Sequence, residues 1–160
     1  MSNNVLAIYG QFGYAVLSRG WWWQLITSMF VHVHMVHLAS NMFFLLIFGL
    51  RAEDLFTDKQ YYAVYLASGL VGNLLTLFLL SPSIISAGAS GALFGLFGAV
   101  IVYLRKMVGH SVVGALLFAF VYFIITMSVG TNIFAHLGGL LVGLTVGYWL
   151  AIRREKLIVS

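Results

Sequence analysis

Of the 160 residues, 62% are hydrophobic and only 8% charged, with a mean hydropathy of +1.03. A soluble domain carries roughly 25% charged residues, so these few cannot cover a water-facing surface and the chain reads as an integral membrane protein of one domain. The absence of cysteine excludes disulfides and thiolate metal sites, and a net charge of +4 in such a chain serves topology and does not point to nucleic acid.

Residues 1–34 contain VLAIYGQFGYAVL, apolar but short and broken by glycine, and then WWWQL (21–25), which has the character of an interfacial aromatic belt. This region is expected to be re-entrant or to lie at the membrane surface, as an outer loop. No basic start followed by an apolar run marks a cleavable signal peptide. A spanning helix needs about 20 mainly apolar residues. Five stretches qualify: 35–50, 61–80, 89–104, 111–129 and 133–152. Their breaks are RAEDLFTDK (51–59), SPS (81–83), RKMVGH (105–110) and SVGTN (128–132). None alternates polar and apolar residues as barrel strands do, so the expected fold is all-α, a five-helix bundle over 35–152 followed by a cytoplasmic tail over 153–160.

With five spans, Arg51, Lys59, Arg105, Lys106, Arg153, Arg154 and Lys156 share one side and Arg19 alone lies on the other. The positive-inside rule places the N-terminus outside and the C-terminus inside. All four carboxylate residues, Glu53, Asp54, Asp58 and Glu155, then fall inside. An aspartyl pair or a Ser-His-Asp triad on the outer side is excluded, and no HExxH helix exists. Outer-side chemistry must use Ser, His, Asn, Tyr and backbone groups.

Three polar clusters open the odd-numbered spans on that side. HVHMVHLASN supplies His32, His34, His37, Ser40 and Asn41; GASG supplies Ser90; NIFAHLGG supplies Asn132 and His136. His37 and Asn41 are four apart and share a helix face. Gly88, Gly91, Gly95 and Gly98 form one small-residue stripe, and Gly139, Gly143 and Gly147 another; such stripes let membrane helices pack backbone to backbone. If the stripes meet, Ser90 and His136 come within the reach that a nucleophile and its base require. Other readings stay open. GASG alone is as readily packing glycine, an intramembrane histidine can be a structural hydrogen-bonding group, and His32, His34 and His37 could form a metal cluster, though without an acid or thiolate. MFFLLIF (42–48) is expected to face lipid and core. Glu53 and Asp54 are expected to be solvated inner-loop charges, with a helix cap as the other reading for one of them.

Together these residues resemble the rhomboid family of intramembrane serine proteases, from about Trp21 to the C-terminus. The resemblance is carried by H-x4-H-x3-N at His32, His37 and Asn41, and by G-x-S-G-x3-G at Gly88, Ser90, Gly91 and Gly95. It is carried also by A-H-x-G-G-x3-G at Ala135, His136, Gly138, Gly139 and Gly143, and by G-x3-E at Gly49 and Glu53.

The resemblance implies that Ser90 is the nucleophile and His136 its general base and acid. It implies an oxyanion hole of His37, Asn41 and the Ser90 N–H, with His32, Gly88, Gly91 and Phe94 in support and Gly95, Gly139 and Gly143 packing the helices. Neither cofactor nor metal is implied. The partners would be the lipid bilayer and transmembrane protein substrates, cut in a water-filled pocket open to the outer face, in the plasma membrane of a prokaryote. A catalytically inactive relative that binds transmembrane helices is the alternative, and an ion or metal transporter using the histidines a third reading. The family has six core helices and this chain shows five; the one missing is the first, and residues 1–20 look like part of the loop that follows it. The family's Trp-Arg pair is Trp23-Gln24 here, so the arginine's loop-bracing hydrogen bonds are expected to be lost. A tyrosine common four residues after the nucleophile is Phe94, which keeps the ring for stacking on His136 without the hydroxyl.

Overall fold

The computed structural model describes residues 3–109, 114, 121 and 132–159. Four helical stretches among them, Met35–Leu55, Asp58–Leu79, Ser90–Met107 and Ile133–Lys156, are long and apolar enough to cross a membrane. They correspond to four of the five expected spans; the span expected at 111–129 lies outside the described residues, residues 114 and 121 apart. The architecture is an all-α membrane helix bundle.

The N-terminal region is a chain of short elements: α1 (Asn3–Tyr9), β1 (Gln11–Phe12), α2 (Gly13–Arg19), α3 (Gln24–Thr27) and a 3-10 turn, Ser28–Phe30. The first long helix begins as α4 (Met35–Phe44), passes through a π-helical segment, Leu45–Gly49, and continues as α5 (Leu50–Leu55). It therefore runs beyond the expected end at residue 50, because Arg51, Ala52, Glu53 and Leu55 are good helix formers. The break is short. Thr57 caps α6 (Asp58–Leu79) with a capping box, its hydroxyl accepting the Gln60 N–H while Gln60 Oε1 accepts the Thr57 N–H. Neither Glu53 nor Asp54 caps a helix; both are exposed, and Asp54 pairs with Arg51 at 3.4 Å.

After α6 comes β2 (Ile85–Ser86), antiparallel to β1 with Gln11 opposite Ser86 and Phe12 opposite Ile85. This two-residue pair was not expected from the sequence, being too short to show a pattern. Then follow α7 (Ser90–Val108) and α8 (Ile133–Val159). Residues 153–159, expected to be a tail, continue α8 as helix.

The glycines set the helix packing. A methyl group at Gly139 would land on the Gly91 carbonyl oxygen, one at Gly143 on that of Gly95, and one at Gly147 within 2.5 Å of Ala99 Cα. The matched steps of four show α7 and α8 running side by side in parallel, backbone against backbone. α6 crosses them in the opposite direction, with Gly72 against Ala135 and Gly69 against Met29 and Ala92. The apolar stretch of α7 is 67% buried against 22% for Met35–Leu55, so α7 is the central helix and the first long helix lies at the margin. MFFLLIF divides accordingly. Phe44 is fully buried against Phe94 and Phe97, while Phe43 is 56% exposed.

Candidate active site

α4, α7 and α8 begin at the same end of the bundle. Ser90 is the first residue of α7, and His136 lies in the first turn of α8. Ser90 Oγ and His136 Nε2 are 2.7 Å apart, a hydrogen bond between two helices joined through their glycine stripes. His136 is 4% exposed and Ser90 half-buried. Phe94, one turn after Ser90, lays its ring on the imidazole of His136 at 4.4 Å and 24°. The stacking expected for Phe94 is present, and it holds the imidazole from the face while Ser90 engages its edge.

The chain reaches Ser90 through Gly88, whose φ is +144°, a conformation that side chains other than glycine's rarely adopt. A methyl there would also come within 2.6 Å of His37 Cε1 and 3.5 Å of Asn41 Nδ2. His37 and Asn41 thus lie directly against the backbone that presents Ser90. Asn41 is fully buried, and neither its Nδ2 nor its Oδ1 has a hydrogen-bond partner among the described residues. A buried amide left unsatisfied is costly, and the Asn41 Nδ2, a donor, lies beside the backbone that presents Ser90. The first amides of a helix have no intrahelical acceptor, and the Ser90 N–H is one of them.

The three histidines of span one divide. His34 caps α4, its Nδ1 accepting the His37 N–H at 3.1 Å. His32 is buried and packs edge-on against His37 at 5.4 Å between ring centroids. Its pKa is lowered to about 4, first by burial and then by the neighbouring His37, so it is neutral near pH 7. Among the described residues no three His, Asp or Glu side chains are grouped as a metal ion requires. Ser40 turns back to the His37 carbonyl, and Glu53 lies exposed at the opposite end of its helix. Asn132 caps α8 and does not meet Ser90.

The substitution at Gln24 behaves differently from expectation. Its bracing of the loop is not lost. Gln24 is fully buried; its Oε1 accepts the Phe12 N–H at 3.0 Å and its Nε2 donates to the Ala7 and Ile8 carbonyls at 3.2 and 3.1 Å. The amide has both a donor and an acceptor, so it satisfies both polarities of backbone group, which a guanidinium cannot do.

Sequence reasoning missed Asn73. Its Nδ2 donates to the Leu25 carbonyl and to Ser28 Oγ, and its backbone carbonyl accepts from Gln11 Nε2. The Ser28 carbonyl in turn accepts the Gly88 N–H at 2.9 Å. Asn73 therefore ties the N-terminal segment to α6, and that segment holds the backbone two residues before Ser90. The available signal was a buried polar residue within an apolar span, where such groups are expensive.

The chain is similar to known proteins over most of its length. The Rhomboid domain family matches residues 19–153. The chain is 39% identical over 140 residues to "RHOMBOID-like protein 6, mitochondrial" of Arabidopsis thaliana, covering 84% of this chain and 45% of that protein. It is 30% identical over 145 residues to YdcA of Bacillus subtilis (strain 168), covering 88% of the chain and 73% of that protein. It is 33% identical over 137 residues to "Rhomboid-like protease 3" of Toxoplasma gondii, covering 78% and 50%. The chain spans about half the length of the first and third of these. One of them being named mitochondrial, they do not support the expectation of a prokaryotic plasma membrane in particular. With its long apolar helices and a domain match over most of its length, the chain is an integral membrane protein that belongs to the rhomboid family.

Proposed function

We infer that this protein is an intramembrane serine protease that cleaves transmembrane segments of other membrane proteins. The observation that carries the reading is the 2.7 Å contact of Ser90 Oγ with His136 Nε2, with His37 and Asn41 against the backbone just before Ser90. In this reading Ser90 Oγ attacks the carbonyl carbon of a scissile peptide bond while its proton passes to His136 Nε2. The carbonyl oxygen becomes an oxyanion and accepts hydrogen bonds from His37, Asn41 and the Ser90 N–H, donors that need no rearrangement as charge develops. His136 then gives the proton to the leaving nitrogen, the C–N bond breaks, and an acyl ester remains on Ser90. Water, deprotonated by His136, attacks the ester and frees the serine. Phe94 and the glycine stripes hold the two reacting groups in register.

The site opens outward in this reading. Arg51, Lys59, Arg105, Lys106, Arg153, Arg154 and Lys156 all lie toward the other end of the bundle, where the positive-inside rule expects the interior. The chain has no cysteine, so Ser83→Cys should react with an impermeant thiol reagent from outside and Lys59→Cys only after permeabilisation.

The deciding experiment uses the purified chain in liposomes with a transmembrane substrate and a fluorophosphonate probe. Wild type should cleave and be labelled at Ser90, and Ser90→Ala should do neither. Cleavage by Ser90→Ala would sink the serine mechanism. Substrate binding without cleavage or labelling would instead make the chain a binding protein for transmembrane helices.

A further inference from the structure

We propose that Asn132 is a positioning residue that sets the approach of Ser90 to His136, acting through Ser86. The inference rests on the reading of Ser90 and His136 as the reacting pair. The Asn132 side chain touches three elements. Its Oδ1 accepts the Ala135 N–H at 3.1 Å and so caps α8. Its Nδ2 donates to Thr76 Oγ1 on α6 at 2.7 Å and to Ser86 Oγ on β2 at 2.8 Å. Thr76 donates onward to the Gly72 carbonyl at 2.9 Å, so both hydrogens of the Asn132 amide and the Thr76 hydroxyl hydrogen are used.

Ser86 precedes Ser90 by four residues, and Asn132 precedes His136 by four. The Asn132–Ser86 and Ser90–His136 hydrogen bonds therefore join the same two segments at the same sequence offset, 46 residues. The first bond closes a frame whose other rung is the second. The segment that leads from Ser86, the last residue of β2, to Ser90 passes through irregular backbone at residues 87–89. β1 pairs with it on one side, and Asn132 fastens it to the start of α8 on the other. Thr76 anchors that junction on α6, the helix that crosses both α7 and α8. A shift of Ser86 relative to α8 would change the Oγ to Nε2 distance directly. A capping role alone needs only Oδ1; the two Nδ2 bonds are what the positioning role requires.

The test separates these two roles. Asn132→Ser keeps a good capping residue but is too short to cap and reach Thr76 and Ser86 together. Ser86→Ala leaves the cap and Thr76 untouched. In the full chain, each should lower both kcat and the rate of fluorophosphonate labelling on the order of tenfold with KM unchanged, since small misplacements of reacting atoms have effects of this size or larger. The double variant should be no slower than Asn132→Ser, because both changes remove the same bond. The imidazole nitrogen resonances of His136 should shift in both single variants, a readout that needs no turnover. Wild-type labelling rates with unmoved His136 resonances would overturn the proposal, as would a lowered melting temperature with kcat unchanged. Absence of labelling in the wild type would overturn the protease reading instead, and the imidazole spectrum would then decide the positioning alone.

Discussion

Phe94 stacks on the ring of His136 at 4.4 Å, one helical turn below the serine that bonds the same imidazole. α7 therefore holds His136 twice, by its edge through Ser90 and by its face through Phe94. Phe94→Ala would remove the face contact and open a cavity in the cluster that Phe94 shares with Phe44, Leu93 and Phe97. Core Phe→Ala changes cost about 3–5 kcal/mol, and a freed imidazole should slow turnover on the order of 100-fold. Phe94→Tyr keeps the ring and should retain activity of the wild-type order. Equal activities for Phe94→Ala and wild type would show that the stack does not orient the base.

Asn41 separates activity from stability. Its amide is buried beside Gly88 without a hydrogen-bond partner among the described residues, so removing it leaves no other described group unsatisfied. Asn41→Ala should cost roughly 10²–10³ in kcat, the usual effect of deleting an oxyanion donor, while the melting temperature stays near that of wild type. His37→Ala should be slow in the same way but less stable, because His32 and His34 both pack against that ring. A large loss of stability in Asn41→Ala with turnover preserved would assign Asn41 a structural role.

Gly139 offers the strictest packing test. A methyl there would occupy the position of the Gly91 carbonyl oxygen, and that oxygen belongs to backbone that cannot rotate away. Gly139→Val should force α7 and α8 apart, and overpacking of this kind costs about 1–3 kcal/mol or more. Cleavage should fall with stability, since Ser90 and His136 sit on the two separated helices. Gly114, with nothing within 4 Å among the described residues, is the control, and Gly114→Ala should be neutral or slightly stabilising. Unchanged melting of Gly139→Val in detergent would contradict the packing described.

The features legible in the sequence share a physical cause. Glycines at steps of four in an apolar helix have few uses besides close packing, so the two stripes announced the contact of α7 with α8. His136 and Asn41 stood out because polar groups in apolar spans are costly. Asn73 and Thr76 were polar in an apolar span too, but their side-chain partners lie 45 or more residues away, and no local pattern names them. Gln24 was misjudged for a related reason. Its worth depends on where Ala7, Ile8 and Phe12 fold back, which only the tertiary structure reveals. The first helix ran past its apolar end because hydropathy marks where lipid is tolerated and not where helix propensity stops.

Gln24 yields a prediction from polarity. Its Nε2 satisfies two carbonyls and its Oε1 one amide, all part-buried. Gln24→Ala would leave the Phe12 N–H and the Ala7 carbonyl without this partner and the Ile8 carbonyl with only the Trp23 indole N–H, at about 1–3 kcal/mol for a buried group left unmade. Gln24→Glu should be at least as damaging, because a carboxylate can accept from Phe12 but would face the Ala7 and Ile8 carbonyls with oxygen. Thermal unfolding in detergent ranks the variants, and a Glu variant as stable as wild type would mean that these bonds do not hold the loop.

His32 gives the last prediction, a dependence on pH. Burial and the adjacent His37 lower its pKa from 6.5 to about 4. Between these values the unfolded chain binds a proton at His32 that the folded chain does not, so the unfolded state gains protons as pH falls. Stability contributed by the neutral, buried imidazole is complete above about pH 6.5 and is lost progressively down to about pH 4, where the folded form protonates as well. His32→Gln keeps a polar side chain of similar reach but cannot titrate. Its melting temperature should fall less than that of wild type between pH 7.5 and pH 4.5, the difference in slope corresponding to at most one proton. Parallel curves for the two proteins would show that His32 is already solvated in the folded state, contrary to its burial against His37.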